Sequence, residues 1–314
     1  MIHSQNWGDM TIPMIQYGPA AAGLLLALGL WFTKWRSQGT ASTPARTSTA
    51  ITMVIALGCM IVFTAWSVFP TWMPPLDEDG TRVLILARYA LPLILCISAL
   101  LVLTLPVRAP RPRGSAELAP RTLMSFAPRS WLVSATATTV GVIIVSILAG
   151  LASSPDEFGR YFMYAVEASD NTRASTMIYG WWFSLPCLVL IAIIVAITLI
   201  ALVVTSRPPL SVDRDGDIAM RTVRVRSVLA VGTGGLLLHL GAIFQSLHGA
   251  SSLRLGFQTE PVGWVELGTS FAAMGPALLI LSYISVVLGF AMWWGVLLSA
   301  LRVRTRQRSE SVPA

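Results

Sequence analysis

Few residues in this chain have types and spacings suited to chemistry. His239 is followed by Gln245 and His248 at i+6 and i+9, and Gly232, Gly234, Gly235 and Gly241 surround it in sequence. A polar ring in so apolar a run must find a partner, and the glycines let a second helix approach closely. Two readings follow. In one, His239, Gln245, His248, Tyr283 and Arg88 build a polar pocket in the outer half of a bundle. In the other, which the sequence favours, His239 makes only a helix–helix hydrogen bond, to Ser282, Tyr283 or Ser285. Arg88 also has two readings. Five apolar residues separate it from Arg82, so it either snorkels outward to Asp77, Glu78 or Asp79 or binds an anionic substrate or lipid headgroup.

Better-known constellations fail on their own terms. A retinal Schiff base needs an intramembrane lysine, and Lys34, the only Lys, lies outside every apolar stretch. Bis-histidine haem needs paired intramembrane His, and only His239 qualifies. An aspartyl protease or a carboxylate proton relay needs Asp or Glu inside the spans, whose cores hold neither. Gly268-Thr269-Ser270 faintly echoes a nucleophile motif, but Ser270 reads better as the N-cap of the last span. Asp213-Arg214-Asp215-Gly216-Asp217 has Ile218 and Arg224 where an EF-hand needs Gly and Glu, so it reads as a solvated turn. There is no P-loop and no CxxC pair. Cys59, Cys96 and Cys187 all lie in apolar stretches, where no disulfide is expected. His3, Met10, Met14, Met73, Met163 and Met177 lack the repeated spacing of a copper site. No catalytic residue, metal or cofactor is expected.

The elements that position these residues follow from composition. Of the 314 residues 54% are hydrophobic and 12% charged, against about 25% charged in soluble domains. That excludes a soluble enzyme, a disordered chain and a disulfide scaffold. It predicts an all-α polytopic transmembrane helix bundle, one domain over 1–314. Seven stretches reach the required length of about 20 residues: 13–32, 49–69, 83–107, 131–151, 178–204, 228–247 and 271–301. The last, at 31 residues, would be about 46 Å long as a straight helix and is expected to protrude or to bend at Gly275-Pro276.

Sorting charges by loop gives an orientation. Alternate loops and the tail hold 17 of the 22 basic residues and sum to +12, while the other side sums to −5. The positive-inside rule then places the N-terminus outside, the C-terminus in the cytoplasm and the protein in the plasma membrane. Residues 1–33 contain no Lys or Arg, so the first span is expected to be a retained anchor rather than a cleaved signal. Segment 302–314 is a basic cytoplasmic tail. The cytoplasmic arginines read as topology signals that also attract anionic lipid; nucleic acid is not an expected partner. Of the outer loops, 153–168 is predicted to be a short amphipathic helix. It would be capped by Ser154 and Pro155, with Phe158, Tyr161, Phe162 and Ala165 on one face. Loop 248–270, with Phe257 and Trp264, is predicted to fold back over the bundle. Four prolines break 108–130. Arg129-Ser130-Trp131-Leu132 and Gly150 to Ser154 are echoed by Arg226-Ser227-Val228-Leu229 and Gly249 to Ser252. That pattern suggests that the hairpins of 129–205 and 226–301 are parallel copies.

The segment Tyr179-Gly180-Trp181-Trp182-Phe183-Ser184-Leu185-Pro186 resembles multi-pass membrane proteins of high-GC Gram-positive, actinobacterial type, and the Arg-for-Lys bias agrees with a high-GC genome. The resemblance implies architecture and brings no activity with it. The leading functional expectation is a non-catalytic, permease-like or accessory subunit of a transport system, with a separate ATPase as partner. A structural or sensory protein acting through its outer loops comes next, and a lipid-modifying enzyme last.

Overall fold

The computed structural model describes residues 7–35, 43–68, 78–105, 128–169, 172–206, 214–259 and 263–301. Its helices are α1 (Trp7–Leu30, followed by a π turn over Trp31–Trp35), α2 (Thr43–Val68), α3 (Glu78–Thr104) and α4 (Arg129–Leu151). After three strands come α5 (Trp181–Ser206) and α6 (Arg214–Ser251), and after two more α7 (Gly275–Leu301). Among the described residues, six helices, α2 to α7, are long and apolar enough to cross a membrane; the apolar stretch of α1, Tyr17–Thr33, is shorter.

The bundle is built around α6. Its 38 residues make it about 57 Å long, and it begins 14 residues before the expected span start. Glycines set its packing. A Cβ at Gly234 would meet the Trp293 ring at 2.6 Å and the Gly289 carbonyl at 3.1 Å; one at Gly235 would meet Cys96 Cβ at 2.6 Å. At Gly241 it would meet Val286 at 2.5 Å. Such close approach lets side chains of neighbours bond to α6 carbonyls: Trp293 Nε1 donates to Val231 at 3.1 Å, and Ser282 Oγ to Gly241 at 2.9 Å. On the far side of α7, Gly23 of α1 backs against Val287, Phe290 and Ala291.

One end of the bundle is tied by arginines. Buried Arg221 of α6 donates through Nη1 to the carbonyl of Thr205, in the last turn of α5. Arg224 reaches the carbonyls of Leu103 (2.8 Å) and Leu105 (2.7 Å) at the end of α3, and Arg46 of α2 reaches Ala300 in α7 at 3.1 Å. Terminal carbonyls carry the negative end of the helix dipole and have no intrahelical donor. These arginines therefore tie helix ends together, and α6 runs as a helix through Arg214 to Val228. Asp215, Gly216 and Asp217 lie in its first turn rather than in a solvated loop; Asp213 lies outside the described residues.

The helical bundle is as expected, but its opposite end carries two small antiparallel sheets, which correct the helix expected at 153–168. Residues 153–168 are not a helix. β1 (Ser154–Pro155), β2 (Tyr161–Ser169) and β3 (Thr172–Met177) form an antiparallel sheet in that order, with Met163 opposite Met177 and Ala165 opposite Ser175. Gly159 has φ 75°, which would break a helix there. Asp156 closes the turn instead of starting a helix, accepting from the Phe158 and Arg160 amides at 2.9 and 2.8 Å. Desolvation opposes its charge. The Arg160 side chain, the two amides and the Arg160 charge outweigh that, and hold the carboxyl below the usual carboxylate range. Arg160 in turn lies 4.6 Å from the Phe158 ring centroid.

Between α6 and α7, β4 (Arg254–Thr259) pairs with β5 (Gly263–Gly268) as an antiparallel hairpin. The two sheets meet where the Tyr164 hydroxyl lies 2.9 Å from Ser270 Oγ and its ring packs edge-on to Phe271 at 5.1 Å. Ser270 is thus a contact between sheets and not an N-cap. Gly275-Pro276 starts α7 after a 3-10 turn over Ala272–Met274, rather than bending a longer helix; proline in the first turn forfeits no helical hydrogen bond. Segment 108–127 lies outside the described residues.

Candidate functional site: a cavity walled by five helices

The five residues singled out in the sequence divide into two groups. Arg88, Gln245 and Tyr283 line one cavity of about 420 Å³. His239 and His248 are not among its lining residues.

His239 is fully buried. Its Nδ1 lies 2.9 Å from the carbonyl oxygen of Tyr89, and its Nε2 lies 3.2 Å from the hydroxyl of Tyr179. A carbonyl only accepts, so Nδ1 carries the proton. Nε2 then accepts, and the Tyr179 hydroxyl donates. Both nitrogens of the neutral ring are used. The expected helix–helix bond exists, but with α3 and with the segment before α5, not with Ser282, Tyr283 or Ser285 of α7. Ser282 is committed to Gly241 instead. The Tyr89 ring packs on Tyr179 at 4.7 Å and on Phe183 at 5.3 Å, completing an aromatic cluster. The signal for Tyr179 was present in the Tyr179–Pro186 segment; Tyr89 contributes through its backbone, which residue type does not advertise.

His248 closes the α6–α7 joint, donating from Nδ1 to the Gly275 carbonyl at 2.9 Å. Thr269 Oγ1 donates to the Ser251 carbonyl beside it at 3.2 Å. His248 is therefore a structural tie at the sheet-bearing end.

The cavity is walled by α1, α2, α3, α6 and α7. Its polar groups share a level. Gln245, Tyr283 and Arg88 lie six, eight and ten residues from the ends of their helices at the sheet-bearing end, a depth of about 9–15 Å. Pro92, Leu238 and Phe290 line it at about 20 Å. Among the described residues that line it, Arg88 is the only charged one. Pro92 has no N–H to offer the Arg88 carbonyl four residues before it, so a second polar group is left without its helical partner on the same stretch. Glu78 and Asp79 begin α3. Asp79 is nine residues away on α3, about 13 Å along the axis. Asp77 and the side chains of Glu78 and Asp79 lie outside the described residues.

Two other features bear on chemistry. Cys59 is exposed and Cys96 and Cys187 are buried, all as free thiols. Among the described residues no cluster of three His, Cys, Asp or Glu is placed to hold a metal ion. No known family matches this chain, and neither a curated protein nor a solved structure is similar to it.

Proposed function

We propose that the chain is a multi-pass plasma-membrane protein of seven spans, with its N-terminus outside and its C-terminus cytoplasmic. It works as a non-catalytic, permease-like or accessory subunit of a transport system. One observation carries this reading: five helices converge on a cavity whose polar groups sit at a common depth above an apolar floor. A volume near 420 Å³ falls in the range of small-molecule sites, roughly 300–1,000 Å³. The orientation is supported by the distribution of charge, and the arginine-tied end is the cytoplasmic one in this reading. With no P-loop in the chain, energy for transport would come from a separate ATPase.

The test is purification of the full-length chain from its own membranes in mild detergent. A stoichiometric co-purifying ATPase or transport subunit is the expected result; recovery of the chain alone counts against the reading. One observation favours a second reading, a structural or sensory protein that receives signals at its outer surface. The two sheets at that end are joined at Tyr164, Ser270 and Phe271 into one ordered platform.

A further inference from the structure

We infer that the five-helix cavity is a site for one anionic lipid of the outer leaflet. The headgroup would sit at Arg88 and the chain would run down toward Pro92, Leu238 and Phe290. This rests on the reading of the cavity as the ligand site of a membrane-embedded bundle. A charged residue well inside an apolar helix is unfavourable by about 2.5–3.5 kcal/mol at the helix centre, and such residues mark ligand pathways or find partners. Arg88 lies on the cavity wall, five residues past Val83, where the apolar run of α3 begins, about 7.5 Å along the helix from that start.

The neighbouring groups fit a phosphate better than any cation. The Arg88 guanidinium offers several donors in a fixed fork suited to phosphate oxygens. The Gln245 amide and the Tyr283 hydroxyl add donors at the same level. Among the described residues no carboxylate lines the cavity. Below that level the lining turns apolar, with Leu238, Val286, Phe290 and Pro92. A free inorganic anion would leave that floor empty; a neutral lipid would bring the guanidinium no countercharge. An amphiphile with an anionic head and a hydrocarbon chain satisfies both.

The experiment uses the full-length protein in phosphatidylcholine nanodiscs doped with phosphatidic acid, and counts retained lipid by native mass spectrometry. Wild type is expected to retain one phosphatidic acid in preference to phosphatidylcholine. Arg88→Gln is expected to weaken that preference about tenfold or more, as for loss of one charge-assisted hydrogen bond. Arg88→Lys should keep most of it, and Arg82→Gln, a nearby basic residue outside this cavity, should keep all of it. Val286→Trp, which fills the apolar part, should lower retention while Arg88 remains. Unchanged preference in Arg88→Gln overturns the proposal. So does equal loss in Arg82→Gln, which would mean a general surface field. Displacement by inorganic phosphate as effective as by lipid also overturns it and makes the site one for a soluble anion. Lipid preference and the co-purifying ATPase are read separately. Loss of one with the other intact shows which of the two readings has failed.

Discussion

His239 and Arg88 are the two polar residues that a sequence reader would pick from the spans, and they have opposite fates. His239 has both ring nitrogens engaged, at Tyr89 and Tyr179, and no lining role in the cavity. His239→Ala would strip a donor from the Tyr89 carbonyl and an acceptor from the Tyr179 hydroxyl. Buried groups left unpaired cost about 1–3 kcal/mol each in soluble proteins, whereas interhelical hydrogen bonds in membranes average about 0.6 kcal/mol. A loss of about 1–2 kcal/mol is therefore expected, read as a lower melting temperature in detergent, with the preference for phosphatidic acid unchanged. Lost preference at an unchanged melting temperature would show that His239 serves the ligand and not the fold. The histidine bond was legible from the sequence as a necessity, because a polar ring in an apolar helix must pair. Its partners were not legible. One is a main-chain carbonyl, and the other precedes the start of α5 by two residues.

At the scale of elements, six of the seven expected spans are described helices long and apolar enough to cross a membrane, legible because apolar runs of this length have few alternatives, and the glycines around His239 marked tight helix contacts. The element at 153–168 was misread because two periods coexist there. Phe158, Tyr161, Phe162 and Ala165 match a helix, yet Tyr161 to Val166 is also a run rich in aromatic and β-branched residues. Thr172–Met177 supplies the partner strand, and positive-φ Gly159 ends the contest. The same local device closes both hairpins. Ser153 Oγ donates to Gly150 at 2.6 Å at the end of α4, and Ser252 Oγ donates to Gly249 at 2.7 Å at the end of α6. Each then enters antiparallel strands. A prediction belongs to the α6–α7 contact. Gly234→Val places side-chain carbon within 2.6 Å of Trp293 and 3.1 Å of the Gly289 backbone. Overpacking of this kind costs about 1–3 kcal/mol. Chemical denaturation in mixed micelles is expected to show a loss of that size, whereas Gly29→Val, where a Cβ meets nothing within 4 Å, should be near neutral in packing.

At the scale of the molecule, charge and β-structure mark the two ends. Arg46, Arg221 and Arg224 hold the carboxyl ends of α7, α5 and α3, and the sheets cover the other end of α4 to α7. The proposed orientation predicts that a reporter fused after Ala314 is active only when a cytoplasmic enzyme is required; activity of a periplasm- or exterior-dependent reporter at that position would reverse the topology. Length adds a second constraint. At about 57 Å, α6 is longer than a hydrocarbon layer of about 30 Å, so a membrane crossing by it would leave part of the helix in the headgroup and water layers. The bridge from Tyr164 to Ser270 also has a mechanical result. It fastens the α4–α5 hairpin to the α6–α7 hairpin by a route outside the helix core. With Arg221 bound to Thr205 at the opposite end, the two hairpins are fastened to each other at both ends of the bundle.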